Sequence, residues 1–320
     1  MSSSPSHGKG SDTSRSSVLT GINDFSVFDD GSRLLSGASD SAVENDGFTE
    51  SIQSARKIAF KNFVRRVMRR MPNPGTLIMV RHGESMWNYN STFTGWVDVD
   101  LSPRGVQEVE HASRLLLERG YTVDIAFTSR LKRAIRSVWI ILGELNQIYR
   151  PVFKSWRLNE RMYGSLEGGS KIEAAVQHGE DQVQKWRRDL YERPPIQTSD
   201  HPFWHGNERK YADLDEMPLT ESLSDTMKRT QPLWDKRILP ALQAGQNVLV
   251  VAHANSMRGL IKHIDNLSAD EISKVGIPNG IPLIYKFDRD KKEKSGNLTP
   301  VRQRMAVAPL TGEFLEEKGL

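Results

Sequence analysis

The sequence of 320 residues contains no cysteine, which excludes disulfide bonds, thiolate catalysis and any metal site that depends on cysteine ligands. It also lacks an apolar run of about 18 residues or more, so no membrane-spanning helix is expected. There is no Walker-type glycine loop and no carboxylate pair after a strand, so we expect no metal. The absence of cysteine fits a reducing compartment, and we expect a cytoplasmic protein.

Acidic side chains are missing from residues 51–71, which carry a net charge of +7. Residues 1–50 carry eight acidic and three basic side chains, a net charge of −5, and the net charge of the whole chain is +4. The remaining residues are therefore close to charge balance. This mild, uneven distribution gives no indication of nucleic-acid binding.

The first 74 residues differ from the rest in composition and hydrophobic periodicity. Residues 1–50 are rich in Ser, Gly and Asp without periodicity, which predicts a disordered extension, and organelle targeting by this extension stays open as an alternative. Residues 55–71, "ARKIAFKNFVRRVMRRM", predict a basic amphipathic helix. Such a helix either makes weak contact with an acidic membrane or packs on its own protein.

Residues 75–290 alternate between strand and helix patterns and predict one α/β domain. Apolar runs such as "TLIMV", "VDIAFTS", "PVFKSWRLNE", "NVLVVA" and "PLIYKFD" predict strands. Between them, "LSPRGVQEVEHASRLLLERG" and "RLKRAIRSVWIILGEL" predict helices, the first capped by Ser102. We expect a mainly parallel central sheet with helices on both faces, a charged helical insertion over residues 171–223, and a polar tail over residues 291–320.

Three predicted strands are followed at once by residues that carry chemistry. His82 follows "IMVR", His253 follows "LVVA" and Glu160 follows "WRLN". Because the carboxyl ends of parallel strands share one edge of a sheet, we expect these three side chains to converge. An imidazole is a good acceptor for a phosphoryl group, and a carboxyl group can protonate the leaving oxygen.

Cations accompany these residues and indicate an anionic substrate. Arg81 precedes His82, Arg133 follows "FTSRLK", and Lys171, Arg187 and Arg188 belong to the insertion. Arginine binds phosphate oxygens in bidentate fashion. Each cation alone is as readily a solvated residue of a helix surface, so the prediction depends on their convergence.

The motif "VRHGESMWN" resembles the signature of the cofactor-dependent phosphoglycerate mutases in the histidine phosphatase superfamily. The resemblance continues in order from Leu77 to Asp288 through "TGWVDVDLSPRG", "FTSRLKRAIRSVW", "WRLNERMYG", "QVQKWRRDLYERPP", "PLTESLSDT", "VVAHANSMRGLIKHID" and "IPNGIPLIYKFD". It implies interconversion of 3- and 2-phosphoglycerate in glycolysis and gluconeogenesis, priming by 2,3-bisphosphoglycerate without a metal, and assembly as a homodimer or homotetramer.

The resemblance also implies roles for individual residues. His82 matches the nucleophile that becomes phosphohistidine, Glu160 the proton donor and acceptor, and His253 the residue that steadies the transferring group. The matching phosphate- and substrate-binding residues are Arg81, Asn88, Thr94, Gly95, Arg133, Tyr163, Lys171, Arg187, Arg188, Ala254 and Asn255.

The sequence departs from the family pattern at several positions. Ala254 replaces a glycine and is strained if its φ is positive, Met162 replaces a histidine, and Glu167 places a negative charge near the anion site unless it points away. Two alternatives therefore stay open: a bisphosphoglycerate mutase or phosphatase of the same fold, and a regulatory, membrane-recruited relative without turnover. Ser85 favours the mutase over the bisphosphoglycerate mutase, which tends to have glycine there.

Overall fold

The computed structural model describes residues 54–62, 72–292, 298–302, 305–307 and 314–316. Helix α1 covers residues 54–62, and all of its residues are exposed. This range agrees with the amino-terminal part of the helix predicted for residues 55–71. The rest of that helix and the disordered extension predicted for residues 1–50 lie outside the described residues.

A six-stranded sheet forms the centre of the fold, with the strand order β3-β2-β4-β1-β5-β6. The strands are β1 (Leu77–Arg81), β2 (Ile125–Thr128), β3 (Val152–Lys154), β4 (Val248–Ala252), β5 (Pro282–Lys292) and β6 (Leu298–Arg302). Strands β3, β2, β4 and β1 are parallel, β5 pairs antiparallel with β1, and β6 pairs antiparallel with β5. The predicted mainly parallel α/β fold is confirmed.

Both faces of the sheet are buried, which explains why its central strands are continuous apolar runs. In β1, Leu77 and Met79 face one apolar cluster, and Ile78 and Val80 face the other. The first cluster includes residues of the helices between residues 223 and 274. The second includes residues of the helices at 103–118 and 132–144. The strand ends are therefore fixed between two packed layers.

The helices are α2 (Met86–Tyr89), α3 (Pro103–Glu118), α4 (Lys132–Glu144), α5 (Lys171–His178), α6 (Glu180–Arg188), α7 (Leu223–Leu233), α8 (Leu239–Gln243), α9 (Ala254–Ile264) and α10 (Ala269–Lys274). As predicted, Ser102 caps α3, where its Oγ accepts from the Gly105 N–H at 3.0 Å. Among the described helices, none has the length and hydrophobicity to cross a bilayer.

Two segments differ from the sequence predictions. The strand expected over "PVFKSWRLNE" ends at Lys154, and Trp156–Leu158 forms a 3₁₀ turn capped by Ser155. This turn redirects the chain toward Glu160. The tail expected from residue 291 onward contains β6, which extends the sheet, and a separate pair, β7 (Met305–Val307) and β8 (Phe314–Glu316).

Candidate active site

Two histidines meet where adjacent parallel strands end. Arg81 of β1 lies opposite Ala252 of β4, so His82 and His253 leave the sheet side by side. Both imidazoles are buried, and their ring centroids are 4.8 Å apart. The convergence expected from the two strand ends is present in the structure.

The hydrogen bonding of His82 leaves one ring nitrogen free to act as a nucleophile. Its Nδ1 lies 2.6 Å from the Gly83 carbonyl oxygen, which can only accept, so Nδ1 carries the proton. Burial, reinforced by the charges of Arg133 and Arg81, holds the pKa of His82 well below its usual range. The ring is therefore neutral at pH 7, with a lone pair on Nε2.

His253 stands at the amino-terminal end of α9, immediately beside His82. Its Nε2 lies 2.8 Å from Ser129 Oγ, and its buried Nδ1 has no hydrogen-bond partner among the described residues. Burial and the charge of Arg133 lower the pKa of His253 well below its usual value. A buried polar atom without a partner in the protein is available to a ligand bound next to His82.

Glu160 is held by backbone donors from two parts of the chain. Its Oε1 accepts from the Arg161 N–H at 2.8 Å and from the Asn255 N–H at 3.1 Å. Trp96 Nε1 and Arg229 Nη2 donate to its backbone carbonyl at 2.7 and 2.9 Å. The carboxyl group is thereby aimed into the same cavity as His82.

Two guanidinium groups act on the histidines, that of Arg133 fully buried and that of Arg81 partly buried. Arg133, at the start of α4, donates to the Val97 and Gly95 carbonyls at 2.8 Å each, and burial lowers its pKa to about 10. Arg81 donates to the Ile277 carbonyl at 2.8 Å, and its buried Nε has no partner among the described residues. Both remain charged at pH 7, and burial strengthens their attraction for an anion.

Four further cations line the same cavity. Lys171 begins α5, Arg187 and Arg188 end α6, and Arg258 lies on α9. Burial lowers the pKa of Lys171, and it lowers the pKa of Arg258 to about 10. Asn255 connects Arg258 to Glu160, because its Oδ1 accepts from Arg258 Nη1 at 3.1 Å and its N–H donates to Glu160 Oε1 at 3.1 Å.

These side chains enclose a cavity of about 120 Å³, which favours a small, strongly anionic substrate. Its lining residues are Arg81, His82, Asn88, Thr92, Phe93, Thr94, Gly95, Arg133, Glu160, Tyr163, Lys171, Arg187, Arg188, Ala254, Asn255 and Arg258. All predicted site residues except His253, which packs against His82, belong to this lining; their individual roles stay predictions.

Sequence reasoning missed Thr92, Phe93 and Arg258. Arg258 could have been found, because it lies three residues after Asn255 on a helix and therefore on the same side. Its Nη1 donates to Asn255 Oδ1 at 3.1 Å. No comparable pattern distinguishes Thr92 and Phe93, which enter the lining through the loop before Thr94.

The structure resolves the three departures from the family pattern. Ala254 is the first residue of α9 and is not among the described residues with positive φ, so its methyl group causes no backbone strain. Met162 is buried against Trp96 and Tyr211. Glu167 does not line the cavity, since its carboxylate points to the His205 ring, 2.7 Å away.

Comparisons with known proteins agree with this geometry. A family model described as the histidine phosphatase superfamily (branch 1) matches residues 77–203 and 196–296, which is more than half of the chain. The chain is also similar in fold to mycobacterial glucosyl-3-phosphoglycerate phosphatase, solved in complex with VO3, with 20% identity, a TM-score of 0.55, and coverage of 71% of this chain and 96% of that one.

Two further solved structures share the fold. A putative α-ribazole-5′-P phosphatase from Escherichia coli str. K-12 is 21% identical with a TM-score of 0.52, and the match covers 68% of this chain and 92% of that one. YhfR from Bacillus stearothermophilus is 20% identical with a TM-score of 0.52, covering 71% and 95%. At these identities the likeness concerns the fold.

Proposed function

The chain belongs to the histidine phosphatase superfamily (branch 1), and we propose that within it the protein is a phosphoglycerate mutase that interconverts 3- and 2-phosphoglycerate. One observation carries the proposal: the cavity lined by His82, Arg81 and Arg133 is also lined by four further cations. We infer that these four, Lys171, Arg187, Arg188 and Arg258, bind an anion other than the one at His82. A phosphoglycerate carries two anions, a phosphate and a carboxylate.

The proposed reaction passes through phosphohistidine at His82. The phosphoryl group on Nε2 moves to the 2-hydroxyl of 3-phosphoglycerate: the P–N bond breaks, a P–O bond forms, and Glu160 accepts the hydroxyl proton. The 3-phosphoryl group of the resulting 2,3-bisphosphoglycerate then returns to Nε2, and Glu160 gives its proton to the departing 3-oxygen. Arg81, Arg133 and His253 would stabilise the charge on the transferring group.

The proposal implies a cofactor but no metal. 2,3-Bisphosphoglycerate would prime His82, since it is the intermediate of the transfer itself. Among the described residues, no group of three or more His, Asp or Glu side chains could hold a metal ion. Arg81 and Arg133 are the charges that would take the place of a metal at the phosphate.

The main rival is a phosphatase of the same fold, in which water accepts the phosphoryl group from His82. The solved proteins named as phosphatases support this rival, although only by fold. A bisphosphoglycerate mutase of the same fold is a second rival. Ser85 favours the mutase over this rival, because bisphosphoglycerate mutases tend to have glycine at the matching position. In this chain Ser85 Oγ accepts from the Asn88 N–H at 3.2 Å and fixes the turn that carries Asn88 into the cavity.

The homodimer or homotetramer also enters here as a proposal. Strand β3 is an edge of the sheet, and exposed apolar side chains lie on it and just before it, Phe153 and Tyr149. An unpaired edge next to apolar side chains is a surface on which a second copy could pack. A cytoplasmic location is proposed with the activity, because phosphoglycerates are intermediates of glycolysis and gluconeogenesis.

An enolase-coupled assay tests the function. Purified protein should convert 3-phosphoglycerate, and a trace of 2,3-bisphosphoglycerate should raise the initial rate by priming His82. Release of inorganic phosphate should remain a minor product. Stoichiometric release of phosphate without formation of 2-phosphoglycerate would replace the mutase with the phosphatase.

A further inference from the structure

Glu167 is a buried carboxylate directly behind the cavity, and the proposed reaction does not use it. It is 2% exposed. A Cβ atom added to Gly95 would lie 1.7 Å from its Oε1, so the carboxylate packs against the bare backbone of the cavity wall. A buried charge is costly unless it is paired and hydrogen-bonded, so the contacts of this group require an explanation.

One oxygen of Glu167 joins two walls of the cavity. Oε1 accepts from the Trp96 N–H at 2.9 Å and from the Tyr163 N–H at 3.2 Å. Trp96 lies between Gly95 and Val97, whose carbonyls hold the Arg133 guanidinium. The first wall therefore positions Arg133, and Tyr163 belongs to another part of the cavity lining.

The other oxygen is held by a histidine that the sequence did not single out. His205 is 3% exposed, and its Nε2 lies 2.7 Å from Glu167 Oε2. Its Nδ1 lies 2.5 Å from Glu208 Oε1, and Glu208 is in turn 2.8 Å from Lys210 Nζ. The Trp96 and Tyr211 rings pack around the imidazole. With both ring nitrogens facing carboxylates, the protonated imidazolium can donate to both, and its bond to Glu167 opposes the rise that burial causes in the pKa of that carboxyl group.

We propose that Glu167 and His205 form a positioning pair behind the cavity: the carboxylate fixes the Arg133 wall relative to Tyr163, and the imidazolium holds the carboxylate in place. Neither residue touches the substrate in this arrangement. The inference rests on the proposed function only in that the Arg133 side of the cavity binds phosphate.

The pair has a consequence at alkaline pH. Burial alone would lower the pKa of His205, but hydrogen bonds to Glu167 and Glu208 raise it to about 9. The pKa in the folded protein thus exceeds the value of about 6.5 in the unfolded chain. The charged ring therefore stabilises the fold fully below about pH 6.5, and this stabilisation is lost as the pH rises through about 9. A neutral ring can donate to only one carboxylate, so the other loses its partner and the pair loosens.

Three substitutions separate positioning from general stability. Glu167→Gln keeps an oxygen that can accept from Trp96 and Tyr163, and its NH₂ can donate to Nε2 of a neutral His205. Glu167→Ala leaves both backbone donors buried without an acceptor. Glu173→Gln, on the exposed surface of α5, is the matched control for loss of one carboxylate.

Binding of inorganic phosphate to the whole protein, measured by calorimetry at pH 7 and pH 10, provides the readout without depending on turnover. At pH 7 we expect Glu167→Ala to bind phosphate about tenfold more weakly or worse, and Glu167→Gln and Glu173→Gln to bind within about threefold of the unchanged protein. At pH 10 all three proteins should lose the part of the affinity that depends on Arg133, whose pKa is about 10. The unchanged protein and Glu173→Gln should lose clearly more affinity than Glu167→Gln, and this difference reports on His205.

The outcomes distinguish this inference from the mutase proposal. The positioning pair is refuted if Glu167→Ala folds and binds phosphate with normal affinity. It is equally refuted if the phosphate affinity of the unchanged protein and that of Glu167→Gln fall by the same factor between pH 7 and pH 10. The pH 10 comparison applies even if Glu167→Ala does not fold. If the expected phosphate pattern appears but no 2-phosphoglycerate forms, the pair stands and the mutase proposal fails.

Discussion

Glu160→Gln tests the proton transfer more sharply than any other single change in the site. Glu160 Oε1 accepts from the Arg161 and Asn255 N–H groups at 2.8 and 3.1 Å. A glutamine oxygen can accept both bonds, so the loop and the start of α9 keep their positions. The substitution therefore removes the exchangeable proton and leaves the scaffold that aims the group.

The expected size of the effect follows from the role of a positioned general acid. Such a group typically raises the rate of the chemical step by about 10²- to 10⁴-fold. We expect the lower end, about 100-fold or somewhat more, because in the proposed mechanism Arg81 and Arg133 in the cavity lining and His253 beside His82 would still stabilise the transferring group. In free energy this is about 2.7 kcal/mol of lost transition-state stabilisation.

Two phosphoryl donors separate proton transfer from positioning in a quench-flow assay. With labelled 2,3-bisphosphoglycerate, the first phosphorylation of His82 should slow by about this factor, because the sugar-acid oxygen must be protonated as it leaves. With p-nitrophenyl phosphate, whose phenolate leaves without a proton, the first burst should slow by less than about fivefold. Glu173→Gln, which changes an exposed carboxylate of α5, should change neither rate.

Equal slowing with both donors would refute the reasoning. It would mean that Glu160 positions the reacting groups and that the leaving oxygen takes its proton elsewhere. An unchanged first turnover with 2,3-bisphosphoglycerate would equally exclude Glu160 as the acid.

Three further predictions concern the nucleophile, the metal and the amino-terminal extension. Incubation with labelled 2,3-bisphosphoglycerate should leave acid-labile, base-stable label on the protein, as expected of a phosphoramidate, and His82→Asn should abolish both label and turnover; normal labelling of that variant would make His82 structural. Turnover should survive exhaustive chelation, and vanadate should inhibit strongly by taking five-coordinate geometry at His82; a requirement for added magnesium or manganese would contradict the metal-free mechanism. A chain beginning at Asn73 should keep its turnover, because every residue of the cavity lining lies after it. Full-length protein alone should sediment with anionic vesicles if residues 55–71 bind acidic lipid, and equal sedimentation of both chains would exclude that role.

Much of the fold was predictable because its central strands are buried on both faces. A strand such as β1, with Leu77 and Met79 in one cluster and Ile78 and Val80 in the other, must be apolar throughout, and this pattern is visible without a structure. The parallel arrangement then requires that His82 and His253 leave at the same edge. The two most reactive positions of the site thus follow from local pattern and topology together.

The less predictable parts depend on contacts that no periodicity encodes. Glu160 is reached through the 3₁₀ turn at Trp156–Leu158, which interrupts a segment with the composition of a strand. The pairing of β6 with β5 brings part of an apparently polar tail into the sheet. In both cases tertiary contacts outweigh the weak local preference.

Glu167 shows most clearly why sequence alone could identify a difficulty but not its solution. A carboxylate four residues after Tyr163 places negative charge beside a predicted anion site, and such a charge would repel the substrate if it faced the cavity. The compensating cation, His205, lies 38 residues later in an aperiodic, charge-rich segment, so no spacing rule connects the two. With the carboxylate neutralised from behind and its Oε1 occupied by the Trp96 and Tyr163 N–H groups, the negative charge no longer opposes phosphate binding. The same reasoning requires that, as long as Glu167 is a carboxylate, discharging His205 weakens anion binding at a cavity that His205 does not line.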